Sequence, residues 1–239
     1  MADLKAEVAA ANRAIDQAGL VTLSFGNASG VDRAAGVLVI KPSGAPYAGL
    51  IAEDMVVVAL EDGRVVGGDL RPSIDTPTHR LLYLELHEIG GIVHTHSPHA
   101  SAWAQAQRSI PCLGTTHADY FRGPVPVTRR LRAEELGGDY EWETGRVIVE
   151  TLRSANRTAE DAPAVLVASH GPFAWGSAPG AAVETAIALE AVAALATGTL
   201  RIEPGTGDIA AELLARHFDR KHGPGAYYGQ GAPDPKRRP

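Results

Sequence analysis

The chain is poor in cysteine: Cys112 is the only one in 239 residues. That excludes an internal disulfide framework and any thiolate-based zinc module, and it suits a reducing compartment. Beside Pro111, it reads as a small apolar filler. Long hydrophobic runs are missing too, since no continuous apolar stretch reaches the roughly 18 residues that span a bilayer. The opening Met1-Ala2-Asp3-Leu4-Lys5 lacks the apolar segment of a secretory leader, so a cytoplasmic protein is expected. Basic runs are absent except for Lys236-Arg237-Arg238, and 28 acidic against 22 basic residues give a formal charge of −6. This balance argues against nucleic acid or anionic membrane as partner and favours a small molecule. Internal repeats and low-complexity inserts are also missing.

What is present is enough for one core. A chain of this length, 45% hydrophobic, buries about 70–75% of its unfolded surface. One catalytic domain over residues 1–230 is expected, with residues 231–239 a loose Gly- and Pro-rich tail. Apolar positions at Leu4, Val8, Ala11 and Ile15 have helical spacing, closed by Gly19. Short β-branched runs at 21–25, 36–41 and 54–60 read as strands. Thr76-Pro77 and Ser97-Pro98 each place an N-cap type and a first-turn proline before a helix. Further helices are expected over 143–155, 181–196 and 208–217. Strands and helices intermix throughout, so the coarse expectation is an α/β layered domain with a central sheet covered by helices.

Histidine carries the chemistry. In Ile92-Val93-His94-Thr95-His96 the strand period of two aims both rings at one face. The run Val165-Leu166-Val167-Ala168-Ser169-His170 is stopped by Gly171-Pro172, which puts a third imidazole at a second strand end. Imidazoles without a thiolate leave a coordination position open, the pattern of catalytic rather than structural zinc; other divalent first-row ions suit the same ligands. Asp75 precedes a helix N-terminus and reads as a fourth ligand, a base or an ordinary cap.

Other segments carry weaker signals. Lys41-Pro42-Ser43-Gly44 and Gly26-Asn27-Ala28-Ser29-Gly30 are tight loops that could cradle an anion, and Ser73 strengthens that reading. Neither is a Walker or dinucleotide fingerprint. Thr115-Thr116-His117-Ala118-Asp119-Tyr120 sets an acid of general acid/base type in a loop. Near the C-terminus, His217 follows a helical run, and Tyr227-Tyr228 sits where a tail could close over a site.

Together these stretches resemble the L-ribulose-5-phosphate 4-epimerase family. The resemblance covers nearly the whole chain: residues 22–27, 39–44, 75–80, 90–97, 114–121, 139–145, 169–176 and 221–230. The histidine pattern is shared with the wider class II aldolase superfamily, including fuculose-phosphate aldolase. The segments at Asp119, Tyr140-Glu141-Trp142 and Tyr228 are the more epimerase-like marks. The resemblance implies a three-layer α/β/α sandwich with a largely antiparallel sheet. It implies a zinc ion on His94, His96 and His170 with Asp75 near or on it, and catalytic roles for Asp119, Tyr228 and His217. Asn27, Lys41, Ser43, Gly44, Ser73 and Thr116 are the implied substrate-binding residues. It further implies a homotetramer with sites at subunit interfaces, and interconversion of L-ribulose 5-phosphate and D-xylulose 5-phosphate by retro-aldol cleavage and rejoining. The alternatives are a class II aldolase cleaving a related ketose phosphate, and a non-catalytic domain stapled by metal. One departure stands out: the family usually has two consecutive serines here, and this chain has Ser73-Ile74.

Overall fold

The computed structural model describes residues 1–223 and 226–227. Tyr228 and the expected tail, 231–239, lie outside the described residues. The chain runs α1 (Ala2–Gln17), β1 (Asn27–Asp32), β2 (Val37–Ile40), β3 (Val56–Ala59), β4 (Val65–Gly67), α2 (Thr76–Glu85), β5 (Gly91–His94) and α3 (Pro98–Ala106). It continues through α4 (Thr115–Ala118), α5 (Ala133–Leu136), α6 (Tyr140–Ser154), β6 (Ala164–Leu166), β7 (Pro172–Gly176), α7 (Pro179–Ile202) and α8 (Ala211–His222). The strands form one seven-stranded sheet, ordered β4-β3-β2-β1-β5-β7-β6, with every pairing between them antiparallel.

Alternation along the strands divides the core between two faces. Val39, Val57, Val93 and Ala174 pack on one side with Val8 and Ile15 of α1, Trp103 of α3 and Leu189 and Val192 of α7. Leu38, Ile40, Val58, Ile92, Phe173 and Trp175 pack on the other with Leu82 and Tyr83 of α2 and Ile148 and Leu152 of α6. Each large apolar side chain buried this way contributes about 1.5–3 kcal/mol. The expected three-layer α/β/α architecture with an antiparallel sheet is therefore the one observed.

Several local expectations are corrected. Residues 21–25 form turns, not a strand, and Leu23 has φ +55°. The strand instead occupies Asn27–Asp32, part of which read as a loop. Small, polar residues serve there because α1 and α7 lie directly on β1. A Cβ on Gly30 would stand 2.7 Å from Leu4 Cδ1 and 2.8 Å from Pro179 Cγ, closer than such atoms approach. Helix packing overrides strand propensity here. Helix α7 is long and apolar enough on average to cross a bilayer, although Glu184 and Glu190 interrupt its apolar run. Its Ala182, Val183, Ala186, Leu189, Val192 and Ala193 face the sheet as core.

Candidate metal centre

The sheet positions the site through its register. Asn27, His94 and Phe173 are neighbours across β1, β5 and β7, and Ser29, Ile92 and Trp175 form the next row on the same face. His94 is the last residue of β5, and His96 stands two residues on, so both rings reach one side. His170 does not end a strand: β6 stops at Leu166, and His170 sits in the turn closed by Val167 N–H on the Gly171 carbonyl. Gly171 lets that turn come close, since a Cβ on it would lie 2.7 Å from the Thr95 carbonyl oxygen. The three ring centroids are consequently 4.8–5.1 Å apart. One ring nitrogen from each of His94, His96 and His170 lies within 4.8 Å of the others.

The hydrogen bonds fix which nitrogens face inward. His94 Nδ1 lies 2.9 Å from the Pro172 carbonyl oxygen, which can only accept, so Nδ1 carries the proton and Nε2 is bare. That Nε2 stands 3.2 Å from His96 Nε2. Two nitrogens each about 2.05 Å from one tetrahedral ion stand about 3.3 Å apart. A ring N–H on a backbone carbonyl is also the usual outer partner of a ligating imidazole. The donor set therefore fits a divalent metal ion. His170 Nδ1 pairs with Tyr140 Oη at 3.2 Å, which leaves its Nε2 for the centre. Burial, reinforced by His94 and His96, pushes the His170 pKa down to about 3, and burial also lowers that of His96. Neutral rings are what a metal requires.

Asp75 occupies the N-cap position of α2 but makes no capping bond. Its Oδ2 instead accepts from Asn27 Nδ2 at 2.7 Å, and the same amide nitrogen donates to Ser73 Oγ at 3.0 Å. Burial opposes its ionisation, yet His94, His79 and the Asn27 bond outweigh that and hold the carboxyl below its ordinary range. Asn27, Lys41, Ser43, Gly44, Ser73, Asp75 and the three histidines line one cavity of about 350 Å³. Lys41 is buried in its wall with Nζ 4.6 Å from the Tyr47 ring centroid. Burial lowers its pKa to about 8.

Two of the residues with an expected catalytic role, Asp119 and His217, form a separate cluster with Arg220. Asp119 Oδ1 lies 3.0 Å from His217 Nδ1, and the Arg220 guanidinium bridges both carboxylate oxygens at 3.0 Å. Thr116 lines a smaller hollow with Leu113, His117 and Val192. Within this chain neither group lines the cavity of the histidines, and Tyr228 lies outside the described residues. A larger hollow of about 730 Å³ between α2, α5 and α6 is lined by charged groups. These pair with one another, as in Arg129–Glu135 and Arg153–Glu85, and among the described residues the histidine trio is the cluster that could hold a metal. Sequence reasoning passed over Tyr140 as a site residue. Its signal was Asp139, whose carboxylate accepts from Trp142 N–H and starts α6 there, three residues before the expected helix.

The class II aldolase and adducin N-terminal domain family matches residues 6–197, and the chain belongs to that family. More narrowly, it is 51% identical over 230 residues to the L-ribulose-5-phosphate 4-epimerase UlaF of Salmonella paratyphi A, covering 96% of this chain and 100% of the relative. Among solved structures, an L-fuculose 1-phosphate aldolase has a TM-score of 0.76 at 21% identity, covering 92% of this chain and 96% of that one. That likeness is one of fold. The Klebsiella pneumoniae protein YgbL has a TM-score of 0.69 at 27% identity, covering 90% and 97%.

Proposed function

We propose that this protein is a zinc-dependent L-ribulose-5-phosphate 4-epimerase, inverting C4 by breaking and remaking the C3–C4 bond. The observation that carries the reading is the trio of imidazoles in a cavity also lined by Lys41, Ser43, Gly44 and Ser73. The 51% identity to the Salmonella relative runs the length of the chain and supports the same substrate.

His94, His96 and His170 would hold the zinc, with Asp75 beside or on it. When bound, the ion supplies Lewis acidity that steadies negative charge on the ketose oxygens during cleavage. Lys41, protonated for the most part below pH 8, binds the phosphate together with Asn27, Ser43, Ser73 and the Gly44 backbone. This anchor retains glycolaldehyde phosphate while its aldehyde turns over. One group takes the C4 hydroxyl proton as the C3–C4 bond breaks, and a second, on the opposite face, protonates the new C4 oxygen when the bond reforms. Asp119 and Tyr228 take these roles, with His217 orienting Asp119. Because the Asp119 cluster lies apart from the trio in one protomer, the working site is assembled between copies of a homotetramer. Thr116 comes with it.

Incubation of zinc-loaded protein with L-ribulose 5-phosphate, resolving the product pentuloses by stereochemistry, tests the reading. D-xylulose 5-phosphate with little free aldehyde supports it. Membership of the class II aldolase family makes a class II aldolase the second reading. Stoichiometric glycolaldehyde phosphate would select that one.

A further inference from the structure

Behind the metal centre runs a buried polar chain that none of these roles uses. Tyr83, Ser29 and His79 are each 0% exposed. Tyr83 Oη stands 2.8 Å from Ser29 Oγ, which stands 2.7 Å from His79 Nδ1. On β1, Ser29 shares a face with Asn27 two residues away. On α2, the His79 N–H donates to the Asp75 carbonyl at 3.1 Å, one helical turn back. The chain thus begins in the core and ends on His79, one helical turn from Asp75, whose carboxylate meets the Asn27 side chain at 2.7 Å. The His79 ring also lies edge-on to Phe173 at 6.0 Å, and Phe173 stacks on His94 at 4.2 Å.

Counting protons gives the chain a direction. Burial keeps the Tyr83 phenol protonated. If the phenol donates to Ser29 and Ser29 donates to His79 Nδ1, the neutral ring carries its hydrogen on Nε2. Nε2 is left unpaired in either direction, but the opposite one also strands the phenol proton. Each buried orphan costs about 1–3 kcal/mol, so the first direction is preferred. Among the described residues His79 Nε2 has no hydrogen-bond partner, and neither has Asn27 Oδ1. A donor is thereby left unspent on His79, one helical turn from Asp75, and an acceptor on Asn27, whose amide binds the Asp75 carboxylate.

We propose that His79 is a positioning residue of the metal centre. The Tyr83–Ser29 chain fixes it as the tautomer protonated on Nε2, and this buried N–H, with Asn27, governs how the Asp75 carboxylate is presented to the cavity. The inference rests on reading Asp75 as part of the site. It gives the buried polar groups of α2 a purpose that apolar packing would not require, since well-packed apolar side chains of similar volume would fill the space at no cost in hydrogen bonds.

Long-range proton–nitrogen correlation NMR of the histidine-labelled full chain reads the tautomer directly. The expected spectrum has His79 protonated on Nε2 and unchanged from about pH 6 to about pH 8, where a free imidazole titrates. Tyr83→Phe keeps the shape and removes the donor. It is expected to admit the Nδ1-protonated form, to weaken zinc binding about tenfold in chelator competition, and to lower kcat more than it raises KM. His79→Gln, which restores a donor, should recover part of the zinc affinity that His79→Leu loses. An Nδ1-protonated His79 in the unaltered protein overturns the proposal, as does unchanged zinc affinity in both Tyr83→Phe and Ser29→Ala. Tautomer and zinc affinity need no substrate. Absent isomerisation with both as expected would sink the epimerase reading and leave the His79 inference standing.

Discussion

His94 and His96 meet through their Nε2 atoms at 3.2 Å while the other His94 nitrogen is committed to the Pro172 carbonyl. Two imidazole lone pairs directed at one point attract a shared cation, and removing one ring leaves too few ligands for a stable site. His96→Ala is therefore expected to lose both metal and activity. Asp119 belongs to the cluster with His217 and Arg220, so Asp119→Asn should keep the metal and lose turnover by about 10²–10⁴-fold, as removal of a proton-transfer group does. Metal analysis beside steady-state kinetics checks both, and a metal-free but active His96→Ala protein would refute the centre.

Tyr140 reaches the same centre from the first turn of α6. Its hydroxyl pairs with His170 Nδ1 at 3.2 Å, and an imidazole relieved of that partner is free to rotate and to change tautomer. Outer partners of metal-bound imidazoles are typically worth 10–100-fold in affinity. Tyr140→Phe should weaken zinc binding by about tenfold with the fold intact, as read by chelator competition and circular dichroism. Wild-type affinity would remove Tyr140 from the centre.

The difference between what was legible and what was not follows the range of the interactions. The His94/His96 pair announces itself through strand period, and Gly171-Pro172 marks where His170 leaves its run; both signals are local. Asp75 was visible as a residue before a helix, but only the structure shows its carboxylate turned from the helix to Asn27. Part of β1 was read as a loop because its glycine and small residues answer to the packing of α1 and α7, the latter from distant sequence. The contact of Asp119 with His217 spans 98 residues, and no pattern within either segment encodes it. His79, in a motif that marked the family resemblance, gave no sign of the hydroxyl chain behind it.

Ile74 lines the cavity beside Ser73 and is 68% exposed, an apolar group where the proposed phosphate site has room for another donor. Ile74→Ser would offer a hydroxyl to a charged oxygen. A hydrogen bond to a charged group contributes about 1.5–3 kcal/mol, and the exposed position favours the lower end. KM for L-ribulose 5-phosphate should fall by roughly tenfold, the equivalent of about 1.4 kcal/mol, with kcat little changed. An unaltered KM would mean that position 74 does not face the phosphate.

The fully buried His79 also sets a pH dependence of stability. Burial lowers its pKa from 6.5 to about 3, so between those values the unfolded chain protonates this ring and the folded protein does not. The unfolded state then binds more protons, and stability rises with pH across the window and falls as pH drops from 6.5 toward 3. Each pH unit well inside it costs about 1.4 kcal/mol for one such ring. His170, lowered to about 3 by burial and by its two neighbouring rings, adds a contribution of the same sign in metal-free protein. Thermal unfolding of the metal-free protein should show Tm falling steadily below about pH 6.5. His79→Gln, which cannot titrate, should flatten that slope even if it lowers Tm overall. Equal slopes in the two proteins would show that His79 is not held neutral in the folded state.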